Sequence, residues 1–237
     1  MLIEHGGVRL LTDPVLRGRV AHLRRRSVAP VDRLLEPLDA VLVSHLHYDH
    51  LDLPSLRRLR GSSGPRLIVP RGAGAFLGRA GLREVEELAA GESTEVGGLR
   101  VGAVPAAHDG RRRPGGGPRA QPIGFVTRGE RRTYFAGDTD LFDGMAELGP
   151  LDVALLPVAG WGPRLGPGHM NAPAAARAAA LIGPRVAIPI HWGTFHPRTT
   201  RPGRWFSEPP REFAARLAEL APDVEVRVLA PGASTEL

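Results

Sequence analysis

The sequence of 237 residues contains no cysteine and no lysine, and only 5% of its residues are aromatic. The lack of cysteine excludes disulfide bonds, a thiolate nucleophile and a cysteine-ligated zinc ion. No apolar run approaches the roughly 18 residues that a membrane span needs. Glu4 and Asp13 lie where a signal peptide would be basic or apolar. We therefore expect a cytoplasmic protein without a membrane span.

All 31 basic residues are arginines, and they exceed the 25 acidic residues by six, which gives a net charge of +6. Such a balance fits nucleic-acid or anionic-membrane binding, or a compositional bias of the surface. The arginine clusters at 24–26, 57–60 and 111–113 are dispersed, and few aromatic residues are present to stack on bases. We favour the compositional bias and do not expect a nucleic-acid partner.

Short apolar runs alternate with helical patterns along the chain. Continuous apolar runs at 39–44, 66–70, 151–158 and 185–190 predict strands that are covered on both faces of a sheet. Residues 171–183 predict a helix with an asparagine cap, an alanine-rich body and a closing glycine. We expect an α/β fold with mixed sheets and a single domain over residues 1–237. Residues 109–122 combine Gly, Pro and Arg without periodicity, which predicts a mobile loop.

The sharpest motif is Ser44-His-Leu-His-Tyr-Asp-His-Leu-Asp52, directly after the first of these strands. Alternate side chains of a strand share a face, so His45 and His47 can bind one ion together. A turn beyond them lets Asp49 and His50 point towards a second ion. Imidazole and carboxylate suit Zn²⁺, Mn²⁺ and Fe²⁺ alike. The alternative is a polar turn that only happens to contain histidines.

One short motif cannot complete two metal sites, so further ligands are expected at other strand ends. His108 follows the predicted strand 99–106, Asp138 follows the strand Arg-Thr-Tyr-Phe-Ala, and His191 closes the strand 185–190. Taken alone, a histidine or aspartate at a strand end commonly caps a turn or meets solvent. Together with the HxHxDH motif, these three residues complete two sets of ligands.

The ordered set of TDP, HxHxDH, a later His, GDT and a final His after a strand resembles the metallo-β-lactamase superfamily over about residues 8–195. The motifs are similar to the branch that holds L-ascorbate-6-phosphate lactonase and N-acylphosphatidylethanolamine-hydrolysing phospholipase D. The closest matches are at Thr12–Pro14, Gly137–Phe142 with Met145, Gly168–Met170 and Pro189–Phe195.

The resemblance implies an αββα sandwich with the metal ions at one edge between two β-sheets. It implies two sets of ligands that share a bridging Asp138: His45, His47 and His108 for the first ion, and Asp49, His50 and His191 for the second. Asp13 matches a family aspartate that supports a ligating histidine, or it belongs to an ordinary Asp-Pro turn. His169 matches a histidine that similar proteins place against the substrate, or it is a loop residue beside a helix cap.

Two divalent ions, Zn²⁺ first with Mn²⁺ or Fe²⁺ as alternatives, would hold a hydroxide nucleophile between them. We therefore expect a hydrolase that cleaves an ester, lactone or phosphodiester bond in a small anionic substrate. Asp49 or Asp138 would orient the nucleophile or move its proton, and His169 would stabilise developing charge. The alternatives are an iron-dependent redox protein of the same fold and a nucleic-acid-processing metallo-hydrolase. The sequence leaves open whether the chain forms a homo-oligomer.

Three features of the sequence each have two alternative interpretations. Arg111–Arg113 would meet the anionic substrate or belong to a solvated loop. Asp140 stands where many relatives have Gly, and it would tune the substrate's charge or face away from the metals. Relatives usually have a strand with a Gly-His motif ahead of the segment that matches Leu2–Glu4, and this sequence starts inside that segment. Either the start is assigned late or the edge strand is short.

Overall fold

Two mixed β-sheets form the centre of the structure, a computed structural model that describes residues 1–27, 34, 36–60, 64–113 and 115–237. In order of hydrogen bonding, the five-stranded sheet consists of β1 (Leu2–His5), β2 (Val8–Thr12), β5 (Ala40–Leu42), β6 (Arg66–Pro70) and β7 (Val85–Leu88). The seven-stranded sheet consists of β17 (Glu225–Val226), β15 (Val186–Ile190), β14 (Val153–Pro157), β13 (Arg132–Phe135), β12 (Ile123–Arg128), β9 (Leu99–Pro105) and β8 (Ser93–Val96).

Helices and two smaller sheets surround these strands. The helices are α1 (Leu53–Arg60), α2 (Gly74–Arg79), α3 (Ala172–Ile182), α4 (Arg204–Ser207) and α5 (Pro209–Leu220), with a 3-10 helix at Asp143–Leu148. The smaller sheets are a three-stranded one of β16 (Phe195–Pro197), β4 (Leu23–Arg25) and β3 (Arg19–Val20), and a hairpin of β10 (Arg111–Arg113) and β11 (Gly116–Arg119). Within the described residues, no helix has the length and apolar character to cross a bilayer.

Three of the four clusters of buried side chains are the interfaces between four layers. The central cluster joins the two large sheets and contains Leu42 and Phe125. Because side chains alternate along a strand, the neighbouring Val41 faces the other way and packs with Leu56 of α1. The outer face of the seven-stranded sheet packs on α3 and α5, where Phe213 is fully buried. The αββα sandwich that the resemblance implies is therefore confirmed.

Helix α3 begins and ends as the sequence predicts. The side-chain oxygen of Asn171 accepts a hydrogen bond from the backbone N–H of Ala174 at 2.9 Å, which satisfies a donor at the helix start. Gly183 ends the helix in the left-handed conformation at φ 62°, a backbone shape that glycine adopts without a steric penalty. The alanine-rich body is almost entirely buried against the sheet and α5.

Residues 109–122 differ from the expected irregular loop, because β10 and β11 pair as an antiparallel hairpin. Two glycines in the hairpin have left-handed φ angles, Gly115 at 78° and Gly117 at 97°. The inward-facing side chain of the hairpin is an arginine, so no apolar alternation marks these strands in the sequence.

Arg112 is the inward-facing residue of this hairpin, and it contacts both ends of the HxHxDH loop. Only 7% of Arg112 is exposed. Its Nη1 atom donates hydrogen bonds to the carbonyl oxygens of Leu46 at 2.7 Å and Leu51 at 3.2 Å. Its guanidinium carbon lies 4.3 Å from the ring centre of Tyr48 and 4.8 Å from that of Phe76. Arg112 therefore stabilises the loop and is not free to bind a substrate.

We predict that Arg112→Ala lowers the free energy of unfolding by roughly 2–3 kcal/mol, because two buried carbonyl oxygens lose a charged donor. Arg113→Ala is the matched control, since Arg113 is exposed on the same strand, and we expect a change below about 0.5 kcal/mol. Denaturant unfolding monitored by circular dichroism measures both values. Equal stability of the two variants would contradict this role of Arg112.

Candidate metal centre

Strands of both large sheets end at the same edge of the sandwich, and polar groups follow each of them. β5 runs parallel to β2, and β14 runs parallel to both β13 and β15. β9 and β13 are both antiparallel to β12, so they point in the same direction. The carboxyl ends of parallel strands form a crevice where α/β proteins bind ligands. The residues that follow these strands are Asp13, His45, His108, Asp138, Ala159 and His191.

Three histidines turn ring nitrogens towards a common point. His47 Nδ1 lies 3.1 Å from His45 Nε2 and 3.0 Å from His108 Nε2. These three side chains form one of the groups whose geometry suits a metal ion. Ligands at the Zn–N distance in a tetrahedral site are separated by about 3.3 Å. The spacing of the three nitrogens is close to that value.

A second group lies beside the first and combines two histidines with a carboxylate. His50 Nε2 lies 3.1 Å from His191 Nε2. Asp49 Oδ2 lies 3.7 Å from each of these two nitrogens. His191 adopts a left-handed φ of 61°, which turns its side chain towards the crevice directly after β15. The three residues again form a group that suits a metal ion.

Asp138 lies between the two groups. Its Oδ2 atom is 3.2 Å from His50 Nε2 and 4.0 Å from His45 Nε2, and its Oδ1 atom is 3.4 Å from His191 Nε2. Asp138 is 3% exposed, and its Oδ1 accepts no hydrogen bond from any described residue. A buried carboxylate oxygen without a donor is costly unless a cation faces it. This unsatisfied oxygen shows that the donor set fits a metal ion.

The opposite ring nitrogens of these histidines are held by the protein. His45 Nδ1 lies 3.0 Å from Ser44 Oγ, His108 Nδ1 lies 2.7 Å from the Gly168 carbonyl, and His191 Nδ1 lies 2.8 Å from the Ala159 carbonyl. A histidine whose Nδ1–H donates to a carbonyl presents the lone pair of Nε2 on its other side. These contacts orient the rings so that Nε2 of His108 and Nε2 of His191 face the cluster.

Asp13 holds the HxHxDH segment from the end of β2. Its Oδ1 atom accepts a hydrogen bond from the backbone N–H of Ser44 at 2.7 Å, and its Oδ2 atom accepts one from Ser44 Oγ at 2.6 Å. The same Oδ2 lies 2.7 Å from His50 Nδ1. Of the two readings of Asp13 from the sequence, these contacts support the one in which it orients a histidine.

His169 lies at the open side of the cluster. Its Nε2 atom is 3.5 Å from Asp138 Oδ2, and its ring packs edge-on against His108 with the ring centres 4.6 Å apart. His169 Nδ1 lies 3.1 Å from the Gly166 carbonyl, which leaves Nε2 turned towards the cluster. Its side chain remains 20% exposed, so it is reachable from solvent.

The electrostatics divide the cluster in two. Burial lowers the pKa of His45 well below its usual value, lowers that of His47, and lowers that of His108 to about 4. Burial also opposes the charged form of His50 and His191, but nearby carboxylates, Asp138 first, raise both pKa values. The neutral form is therefore favoured in the first group, whereas protonation is favoured at His50 and His191.

The two central carboxylates are ionised. Burial opposes the charge of Asp138, but His191 and His50 lower its pKa well below the usual value. Burial likewise opposes the charge of Asp49, but His50 and His191 lower its pKa to about 2. Both groups therefore present negative charge to the centre of the cluster throughout the neutral range.

The structure brings together all seven side chains that the sequence singled out as ligands and places His169 beside them. Asp140 is not among them: it is exposed, and its Oδ1 accepts from the backbone N–H of Leu141 at 2.9 Å. Sequence reasoning missed the supporting carbonyl groups of Gly168 and Ala159, because backbone acceptors leave no signature in a sequence. A cavity of about 860 Å³ reaches the centre at Asp49, His50 and His191.

Comparison with known proteins agrees with this architecture. The family model of the β-lactamase superfamily domain matches residues 8–192. A UPF0173 metal-dependent hydrolase of Methanopyrus kandleri is 37% identical over 99% of this chain and 94% of the relative. N-acyl-phosphatidylethanolamine-hydrolyzing phospholipase D 1 of Caenorhabditis elegans is 33% identical over 84% of this chain, but only 63% of that relative is covered.

A solved structure shows the same fold. Igni18, a metallo hydrolase from the archaeon Ignicoccus hospitalis, superposes with a TM-score of 0.73 at 25% identity, over 98% of this chain and 91% of that one. The resemblance inferred from the motifs is confirmed by these matches. The Methanopyrus kandleri hydrolase is similar over nearly its whole length. The chain therefore belongs to the β-lactamase superfamily and, within it, to the UPF0173 metal-dependent hydrolase family.

Proposed function

We propose that this protein is a hydrolase that holds two divalent ions and cleaves an ester, lactone or phosphodiester bond in a small anionic substrate. The observation that supports the proposal is the unsatisfied Oδ1 of Asp138, buried between two groups of metal-ligand type. The phospholipase D relative supports a phosphodiester among these bonds. The cavity at the second group offers room for a small molecule, since ligand pockets span about 300–1,000 Å³.

In this proposal, each side chain of the cluster has a role in holding an ion. His45, His47 and His108 would hold the first ion, Asp49, His50 and His191 the second, and Asp138 would contact both. The donors suit Zn²⁺, and Mn²⁺ or Fe²⁺ are the alternatives that nitrogen and oxygen ligands also accept. Two such ions supply an activated water as nucleophile at neutral pH and polarise the bond to be cleaved.

Two groups of the protein would move protons or stabilise charge. The ionised carboxylate of Asp49 or Asp138 would orient the nucleophile and take up its proton. His169 faces the cluster with Nε2, and although burial opposes its charge, the hydrogen bond to Asp138 raises its pKa. A protonated Nε2 would donate to the oxygen on which negative charge develops during attack.

We predict that Asp138→Ala lowers the metal content below two ions per chain and abolishes hydrolysis, because both ligand groups lose their shared carboxylate. Elemental analysis and hydrolysis of a panel of lactones, aryl esters and bis(4-nitrophenyl) phosphate measure the two effects. Asp140→Ala is the matched control, since Asp140 is exposed and belongs to neither ligand group, and it should keep both properties. A metal-loaded Asp138→Ala variant with full turnover would contradict the bridging role.

His169→Gln should lower kcat by about 100-fold or more while leaving the metal content near that of the unmodified protein. The reason is that His169 faces the cluster through Nε2 but belongs to neither proposed ligand group. His22→Gln serves as the control, since His22 is exposed, lies in neither ligand group and does not line the cavity, and it should leave both kcat and metal content unchanged. If His169→Gln lost an ion, His169 would instead be a metal ligand.

Metal uptake should weaken as the pH falls from 7.5 to 5.5. Carboxylates raise the pKa values of His50 and His191 in the metal-free protein, so a proton competes with the ion at the second group. Binding should therefore release protons, and the number released is measured by titration calorimetry in buffers with different ionisation enthalpies. An affinity for Zn²⁺ that is independent of pH over this range would refute proton competition.

A further inference from the structure

Arg25 lies on the apolar face of the small three-stranded sheet. Side chains alternate along β4, so Leu23 and Arg25 share one face and Arg24 points to the other. Leu23 is buried in a cluster with Val15 and Val20, against which Phe195 packs. An arginine therefore occupies a position where the pattern of this face favours an apolar side chain.

The guanidinium of Arg25 is fixed in one orientation. Its central carbon lies 4.5 Å above the centre of the Phe195 ring. Its Nε atom donates to the carbonyl of Arg17 at 3.2 Å, and its Nη2 atom donates to the carbonyl of Val15. These contacts occupy one edge and one face of the group, and Nη1 has no hydrogen-bond partner among the described residues.

The charge of Arg25 has no counterion within the described part of the chain. Its neighbour Arg17 shows the usual arrangement, because its Nε atom donates to the buried carboxylate of Asp52 at 2.9 Å. Burial lowers the pKa of Arg25, which reflects the loss of water around its charge. A half-buried cation without a paired anion is available to a ligand that supplies the negative charge.

Arg25 is connected to segments that also supply residues of the candidate metal centre. Val15, which accepts from its Nη2, follows Asp13 by two residues, and Phe195, on which it stacks, follows His191 by four. The adjacent backbone N–H of Arg26 donates to the Thr194 carbonyl at 2.8 Å. Arg25 lines the same cavity of about 860 Å³ that reaches the centre at His191.

We propose that Arg25 forms an anion subsite of this cavity, which binds a carboxylate or phosphate group of the substrate away from the bond that is cleaved. The proposal rests on the proposed function for the identity of the cavity as a substrate site. It assigns the recognition of negative charge to Arg25 and not to Arg111–Arg113. Arg112 is buried against the HxHxDH loop, and Arg111 pairs with Asp109 at 2.9 Å. A substrate with two separated polar ends, one at the metals and one at Arg25, is therefore the expected class.

Binding of matched acids to the metal-loaded protein tests the subsite without any need for turnover. Dicarboxylates from succinate to suberate are each compared with the monocarboxylate of equal chain length, for example glutarate with pentanoate, by titration calorimetry. The best dicarboxylate should bind about 10- to 100-fold more tightly than its partner, as expected for a hydrogen-bonded charge pair. 4-Phosphonobutyrate, which has a phosphonate in place of one carboxylate of glutarate, distinguishes the two oxyanions by its relative affinity.

The variants show whether Arg25 supplies this preference. Arg25→Met keeps an unbranched stem against Phe195 and should reduce the preference to less than about twofold, whereas Arg25→Lys should retain part of it. Arg24→Met is the matched control on the exposed face of the same strand and should bind like the unmodified protein. Circular dichroism and metal content confirm that each variant is folded and loaded.

Two results would overturn the anion subsite. One is that no dicarboxylate binds more tightly than its monocarboxylate, and the other is that Arg25→Met keeps the full preference. Hydrolysis is measured separately, with mono-4-nitrophenyl glutarate against 4-nitrophenyl pentanoate. Failure to hydrolyse either ester, or the phosphodiester panel above, would contradict the proposed function and leave the binding result for Arg25 intact.

Discussion

The carboxylate of Asp13 is the interaction on which the candidate metal centre most depends. It ties the end of β2 to the backbone and side chain of Ser44 and to the ring of His50. One side chain thereby fixes the start of the HxHxDH segment and the orientation of a histidine six residues later. Asp13 adopts a left-handed φ of 42°, an unfavourable conformation for most residues, and three short hydrogen bonds offset that cost.

The two sheets can meet at this centre because Gly137 has no side chain. A Cβ atom at this position would lie 2.5 Å from the Cβ of Ser44, closer than non-bonded carbons approach. The residue also has a φ of 62°, which glycine adopts freely. The close approach brings Asp138, from the seven-stranded sheet, against histidines that follow the five-stranded sheet. The centre is thus assembled at a contact between two layers and belongs to neither alone.

The sequence predicts well those features that local patterns encode. The apolar runs at 151–158 and 185–190 correspond to β14 and β15, and the cap at Asn171 and the closing Gly183 delimit α3. The candidate ligands could be named because the HxHxDH motif is chemically specific and the resemblance to a known family singles out the remaining residues. β7 and β10 could not be predicted, because Glu86 and Arg112 contact groups 20 and 66 residues away in sequence. The role proposed for Arg25 depends on which face of β4 its side chain occupies, and only the pairing of β4 with its neighbouring strands shows that face.

The hairpin of β10 and β11 links two distant parts of the chain, because Arg112 reaches carbonyl oxygens more than sixty residues earlier. Residues 46–51 form no regular element of their own, so their shape is stabilised from outside. Changes in the hairpin can therefore alter how rigidly the histidines are presented without replacing any of them. The hairpin is therefore a place where a substitution outside the cluster would loosen or tighten the geometry of the histidines.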